Sequence, residues 1–160
     1  MADMAGEQNA NVIGVAITTN AFIPLIRKGT TKKVITISTG MADADLIARF
    51  LVANAAAYSV SKAGTNALVA KYHAALSAEN ILFVAISPGF VDTSEGKVMD
   101  PEMLKGVQAM AARFADYAPH FKGPITPEES VRLVTGVIDR ATVEKEGGGF
   151  ISHFGNKQWL

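Results

Sequence analysis

The chain has 160 residues, 49% of them hydrophobic and 19% charged, with fifteen basic and fifteen acidic side chains and no cysteine. One domain with a sizeable core fits that length, and the cancelled charge leaves no field to draw the chain to nucleic acid or an anionic membrane. Without cysteine, disulfides and thiolate metal sites are excluded. "MADMAGEQNA" lacks the basic start and apolar core of a secretory signal, and no apolar run reaches a membrane span. A cytoplasmic protein is therefore expected, with neither nucleic acid nor membrane as a partner.

Residues 12–26, "VIGVAITTNAFIPLI", repeat apolar side chains at helical spacing and predict a helix, with Pro24 near its end and Gly29 as its cap. Asn11, just ahead of it, has the chemistry of an N-cap. "KKVITIST" at 32–39 is a β-branched run without polar alternation, which predicts a strand covered on both faces, as in parallel sheets. Residues 40–57 look irregular apart from one helical turn over Ala44–Leu51. From Tyr58 to about Ser77 the pattern is helical again and stops at Asn80; "ILFVAIS" at 81–87 is a second doubly covered strand, ended by Pro88-Gly89. Asp100-Pro101 opens a predicted helix over 101–118. Thr126, Pro127 and Glu129 form a capping box for another, with apolar positions at 131, 133/134, 137 and 138. "GGGFISHFG" at 147–155 supplies a short last strand behind its glycines. This order of helices and strands implies parallel β/α layering with right-handed crossovers.

Sites in such sheets form beyond the carboxyl ends of the strands. Three features fall there: Ser38-Thr39, the helix start at Tyr58–Lys62, and Pro88-Gly89. Tyr58 and Lys62 are one helical turn apart and face the same way, about 6 Å apart along the axis. A phenol with a pKa of about 10 is too weakly acidic to act as a base at neutral pH; a nearby ammonium stabilises the phenolate and lowers that value. A Thr39 hydroxyl can then hold a substrate oxygen while Tyr58 gives or takes its proton. His73, His120 and His153 are isolated, and no spacing suggests a metal. The loop at 40–57, together with Met99, Met103, Met110, Phe114, Tyr117 and Phe121, offers an apolar wall suited to a small hydrophobic substrate. Trp159 either closes that pocket or docks the tail.

Set in order along the chain, "NVIGV", "KKVITIST", "YSVSK", "SPGFVDT" and "GGGFISHFG" resemble the C-terminal part of a short-chain dehydrogenase/reductase. The resemblance implies a three-layer α/β fold: a single domain over 1–160 with a truncated Rossmann-like, doubly wound parallel sheet, equivalent to the second half of the family's fold. It also implies that Tyr58 and Lys62 are the YxxxK acid–base pair, and that Thr39 stands for the serine that positions the substrate oxygen. Ser38 is the fallback, because successive strand residues face opposite ways. Asn11 matches the asparagine that helps hold a relay water. Pro88, Gly89, Val91 and Thr93 match the loop that contacts a nicotinamide carboxamide, if one binds.

The family's first half has no counterpart in this sequence: no glycine-rich turn follows a strand, and no residue is placed to read an adenosine ribose. Three functions are expected in turn. The first is a Tyr58/Lys62/Thr39/Asn11 acid–base enzyme acting on a carbonyl, enol or phenol without a tightly bound nicotinamide, by isomerisation, dehydration or cyclisation. The second is an NAD(P)(H)-dependent oxidoreductase of carbonyls and alcohols whose cofactor cradle comes from another chain. The third is a non-enzymatic pseudoenzyme or partner subunit. The open edge of strand 33–39, and helices 12–26 and 58–77, which form the dimer bundle in relatives, predict a homo-oligomer.

Overall fold

Three parallel strands, β1 (Lys33–Ile37), β2 (Leu82–Ser87) and β3 (Phe150–Ser152), lie side by side in the order β1-β2-β3. The structure, a computed structural model, describes residues 3–94, 105, 108 and 117–160. The helix expected over 101–118 falls almost wholly outside them, as do Met99, Met103, Met110 and Phe114. All six residues of β2 are buried, as an apolar run with no polar face requires. Its side chains feed two cores. Leu82, Val84 and Ile86 pack with Val134, Val137 and Ala141 on one face; Phe83 and Ala85 pack with Val69 on the other. Helices on both faces complete the expected three-layer α/β arrangement.

The helix predicted at 12–26 runs from Met4 to Lys28 without a break. It comprises α1 (Met4–Gln8), a π-helical turn at Asn9–Ile13, and α2 (Gly14–Lys28). Asn11 is therefore no cap: it sits inside the π turn, and Asp3 caps the helix by accepting from the Gly6 amide at 2.8 Å. By length and composition Met4–Lys28 is apolar enough to cross a membrane, which corrects the expectation that no segment is. Polar residues interrupt its runs, so the eye finds no long apolar stretch although the average is high. Here the helix lies along the sheet: Ile26 packs against the Val69–Phe83 core, and Arg27 forks onto Glu79 at 2.6 and 2.7 Å.

After β1 come a 3-10 turn at Gly40–Ala42 and α3 (Ala44–Phe50), capped by Asp43 and ended by Leu51 in the left-handed conformation. The long helix α4 (Ala56–Leu76) begins two residues before Tyr58. In α5 (Pro127–Arg140), the Thr126 hydroxyl accepts from the Glu129 amide at 3.2 Å, the expected half of the capping box. Val134 and Val137 face inward as predicted, but Val131 is 64% exposed because it stands on the outer side of that helix. A short α6 (Val143–Glu146), capped by Thr142, precedes β3 and was not expected. β1 has the open edge that was expected, but its two faces are not fully covered. Lys33–Ile37 pair with Leu82–Ile86 on one side only, and Ile37 is 48% exposed. A β-branched run shows that a strand suits burial; it does not show which neighbours bury it.

Candidate active site

The end of β1 settles which of two adjacent hydroxyls faces the helix start. Ser38 is buried; its hydroxyl donates to Asn66 Oδ1 at 2.7 Å and its amide bonds Ile86 O at 2.8 Å. It braces β1 to β2 and α4, and does not serve as the fallback site residue. Thr39 continues the extended backbone and so turns the other way. Its Oγ1 accepts from the Met41 amide at 3.3 Å and is near enough to the Tyr58 phenol to favour its ionised form.

Tyr58 and Lys62 occupy the first two turns of α4, both half-buried. Lys62 Nζ donates to Ile37 O at 2.9 Å, which ties α4 to the last residue of β1, and stands 5.9 Å from the centre of the Tyr58 ring. Burial pushes the Tyr58 phenol above its ordinary range; the Thr39 hydrogen bond opposes this and the Glu7 carboxylate adds to it. Burial likewise lowers the Lys62 ammonium, and Glu7 works against that. The net direction for Tyr58 is therefore opposite to the one expected from an ammonium neighbour. Desolvation outweighs an ammonium whose short bond goes to a carbonyl. At neutral pH the phenol carries its proton.

Asn11 is brought to the same helix start, but its amide is committed elsewhere. Nδ2 donates to Glu7 Oε2 at 2.7 Å and to Ser61 Oγ at 2.9 Å, while Asn11 O accepts from Thr65 Oγ1 at 2.6 Å. Ser61 in turn donates to Tyr58 O at 2.8 Å. Sequence reasoning missed Glu7, Ser61 and Thr65. Ser61 and Thr65 were detectable as two hydroxyls four residues apart on the helix, both fully buried.

The loop after β2 forms the third side. Gly89 has φ +90°, and a Cβ there would come within 2.8 Å of His153 Cε1, so only glycine fits. Ser130 Oγ holds Pro88 O at 2.7 Å. Val91 bridges Ile125 in parallel through its neighbours: Ile125 donates to Phe90 O and Asp92 donates to Ile125 O, both at 2.9 Å. That pattern turns the Val91 N–H and C=O to the opposite side, where neither has a partner among the described residues. A donor beside an acceptor, both without partners among the described residues, is the complement of a primary carboxamide such as that of a nicotinamide. Thr93 is exposed beside it.

Thr39, Met41, Leu46, Gly89, Phe90 and Trp159 line a small cavity of about 80 Å³. Trp159 both lines this cavity and docks the tail. Its Nε1 donates to Asp43 Oδ2 at 2.9 Å, its amide donates to the Tyr117 hydroxyl at 2.9 Å, and its ring stacks on Phe150 at 4.3 Å. Phe121 stands against Phe90 with ring centres 5.9 Å apart. No cluster of metal-ligating side chains occurs among the described residues.

A family model described as short chain dehydrogenase matches residues 3–103. The chain is 55% identical over 159 residues to short-chain dehydrogenase/reductase AacuF of Aspergillus aculeatus, covering 99% of this chain and 59% of that protein. It is 43% identical, with the same coverage, to short chain dehydrogenase virK of Hypocrea virens. The 160 residues thus span a little under three fifths of these relatives' length. Among solved structures it is similar to an NADPH-bound carbonyl reductase from chicken fatty liver, with TM-score 0.73, 21% identity, and coverage of 98% of this chain and 56% of that one. At that identity the likeness shows the fold alone.

Proposed function

The chain belongs to the short-chain dehydrogenase/reductase family, and from that premise we propose that Tyr58 donates a proton to the oxygen of a small hydrophobic carbonyl, in carbonyl–alcohol interconversion with NAD(P)(H). The observation that carries this reading is the pairing of two hydroxyls, Tyr58 and Thr39, where burial keeps the phenol protonated. Thr39 steadies the substrate oxygen while negative charge develops on it, and Tyr58 supplies the proton. Lys62, held by Ile37 O, keeps a cation near the phenolate that remains. Met41, Leu46, Phe90 and Trp159 put apolar surface beside Thr39, which favours a hydrophobic group on the substrate there.

When bound, a reduced nicotinamide supplies the hydride. Its carboxamide would be held by the Val91 N–H and C=O and by Thr93, with Pro88 and Gly89 setting the loop. A second reading uses the same proton donor without a tightly held nicotinamide, for isomerisation, dehydration or cyclisation of an enol or phenol. What favours it is that a proton donor, Tyr58, stands with Thr39 and a neighbouring ammonium, Lys62, and proton transfer of that kind needs no hydride.

Both readings make Tyr58→Phe cost about 10²–10⁴ in turnover. The assay follows hydrophobic ketones and enols with NADPH, with NADH and without either. Consumption of reduced cofactor supports the first reading, and product without cofactor the second. Undiminished turnover by Tyr58→Phe on a substrate the chain converts would overturn both.

A further inference from the structure

Resting on the proton-donor reading of Tyr58, we propose that Glu7 is a positioning residue of this site: through Asn11 and Ser61 its carboxylate locks the π turn to the start of α4, where Tyr58 and Lys62 stand. The geometry comes first. An asparagine amide has two N–H groups, and here one meets Glu7 Oε2 at 2.7 Å and the other Ser61 Oγ at 2.9 Å. Ser61 passes its own proton to Tyr58 O at 2.8 Å. Three consecutive hydrogen bonds therefore run from a carboxylate on α1 to the backbone that carries the phenol. The first is charge-assisted, which makes it the strongest of the three. Thr65 closes the arrangement by bonding both Asn11 O, at 2.6 Å, and Ser61 O, at 3.0 Å.

The π turn accounts for the reach. Asn9–Ile13 takes one residue more per turn than an α-helix, and such turns gather at functional sites. It is here that Asn11 swings across to α4 while still holding Glu7, four residues earlier. An asparagine occupied in this way binds the frame of the site, and it is Glu7 that holds it there.

Charge adds a second effect. A carboxylate disfavours a nearby phenolate and favours a nearby ammonium. Glu7 acts on both members of the pair in those directions. For Tyr58 the described groups concerned are Glu7 from α1, the Thr39 hydroxyl beyond β1, and Lys62 on its own helix. For Lys62 they are Glu7 and the Ile37 carbonyl. Glu7 therefore keeps the donor loaded and the cation charged.

Glu7→Gln preserves an acceptor for Asn11 and removes the charge, whereas Glu7→Asp preserves the charge and shortens the reach. The phenol titration of Tyr58 is read by ultraviolet difference spectroscopy, using Tyr58→Phe to subtract Tyr72 and Tyr117. Lys62 is followed by NMR. In Glu7→Gln both midpoints are expected to move down; in Glu7→Asp they stay near the parent values. Unmoved midpoints in Glu7→Gln, or an equal fall in both variants, overturn the proposal. Should Glu7→Gln not fold, the parent chain carries the test. The Tyr58 ring resonance must then shift as carboxylates protonate in the acid range, and a flat response refutes the proposal. Because these readouts are titrations, turnover that fails while the midpoints move condemns the proton-donor reading and leaves the role of Glu7 standing.

Discussion

Thr39 and Ser38 are adjacent, chemically alike and opposite in consequence. The Thr39 hydroxyl stands at the Tyr58 phenol, while the Ser38 hydroxyl is buried against Asn66 at 2.7 Å. Thr39→Val keeps the shape of the side chain and removes its hydrogen bond to the developing oxyanion, so turnover should drop by about 10²–10³ with little change in unfolding temperature. Ser38→Ala should do the reverse. It strands Asn66 Oδ1 and costs about 1–3 kcal/mol of stability, read by denaturant unfolding, while the rate per folded molecule holds. Equal effects on rate from the two variants would mean that Thr39 has no special place. The alternation of a strand restricts the choice to one of the two hydroxyls, and the sequence motif favours Thr39. The role of Asn11 was less legible, because the partners that engage its amide lie at position 7 and fifty residues on, and no local pattern links them.

Just past β3, the His153 ring stands between the sheet and the loop after β2. His153 is buried, its face stands against Gly89, and its Nδ1 has no partner among the described residues. Burial lowers its pKa, with Glu129 opposing. The sign follows. A histidine whose folded value lies below its unfolded value of about 6.5 stays neutral in the native chain and charges on unfolding, so acid favours the unfolded state. Thermal midpoints should therefore fall between about pH 7 and pH 5, and His153→Gln should flatten that fall. A midpoint with the same slope in the variant would assign the acid sensitivity elsewhere. At this scale the helical and β-branched patterns carried most of the fold: β2, α3, α4 and α5 lie within a few residues of their predicted bounds. The π turn and α6 were not legible. A single extra residue in a turn leaves no periodic trace, and a one-turn helix is too short to show a period.

Seen whole, the molecule is lopsided. β2 is sealed on both faces, whereas β1 faces α2 across an open groove of about 740 Å³ lined by Val15, Phe22, Ile26, Val34 and Ile35. Ile17, Phe22 and Leu25 of α2, Ile37 of β1 and Val60 of α4 are each 48–65% exposed. At about 25 cal/mol per Å² of apolar surface, leaving such a face in water is costly, and the outer edge of β1, which has no strand partner among the described residues, adds backbone N–H and C=O groups to it. The β-branched pattern of this strand does not by itself distinguish an edge from the inside of a sheet; the open edge was expected because no preceding strands are present in the sequence to pair with it. These 160 residues, expressed alone, are expected to self-associate through α2, α4 and the β1 edge. Sedimentation velocity should show a mass above that of one chain, rising with concentration. Phe22→Lys with Leu25→Lys should return the mass toward that of a monomer without loss of helical circular dichroism, since both side chains are more than half exposed and outside the core. A parent chain that sediments as a monomer at every concentration would remove the self-association. A doubly substituted chain that remains associated would move the contact off α2 and onto the strand edge, where Thr36→Pro is the discriminating change: proline cannot donate to a neighbouring strand.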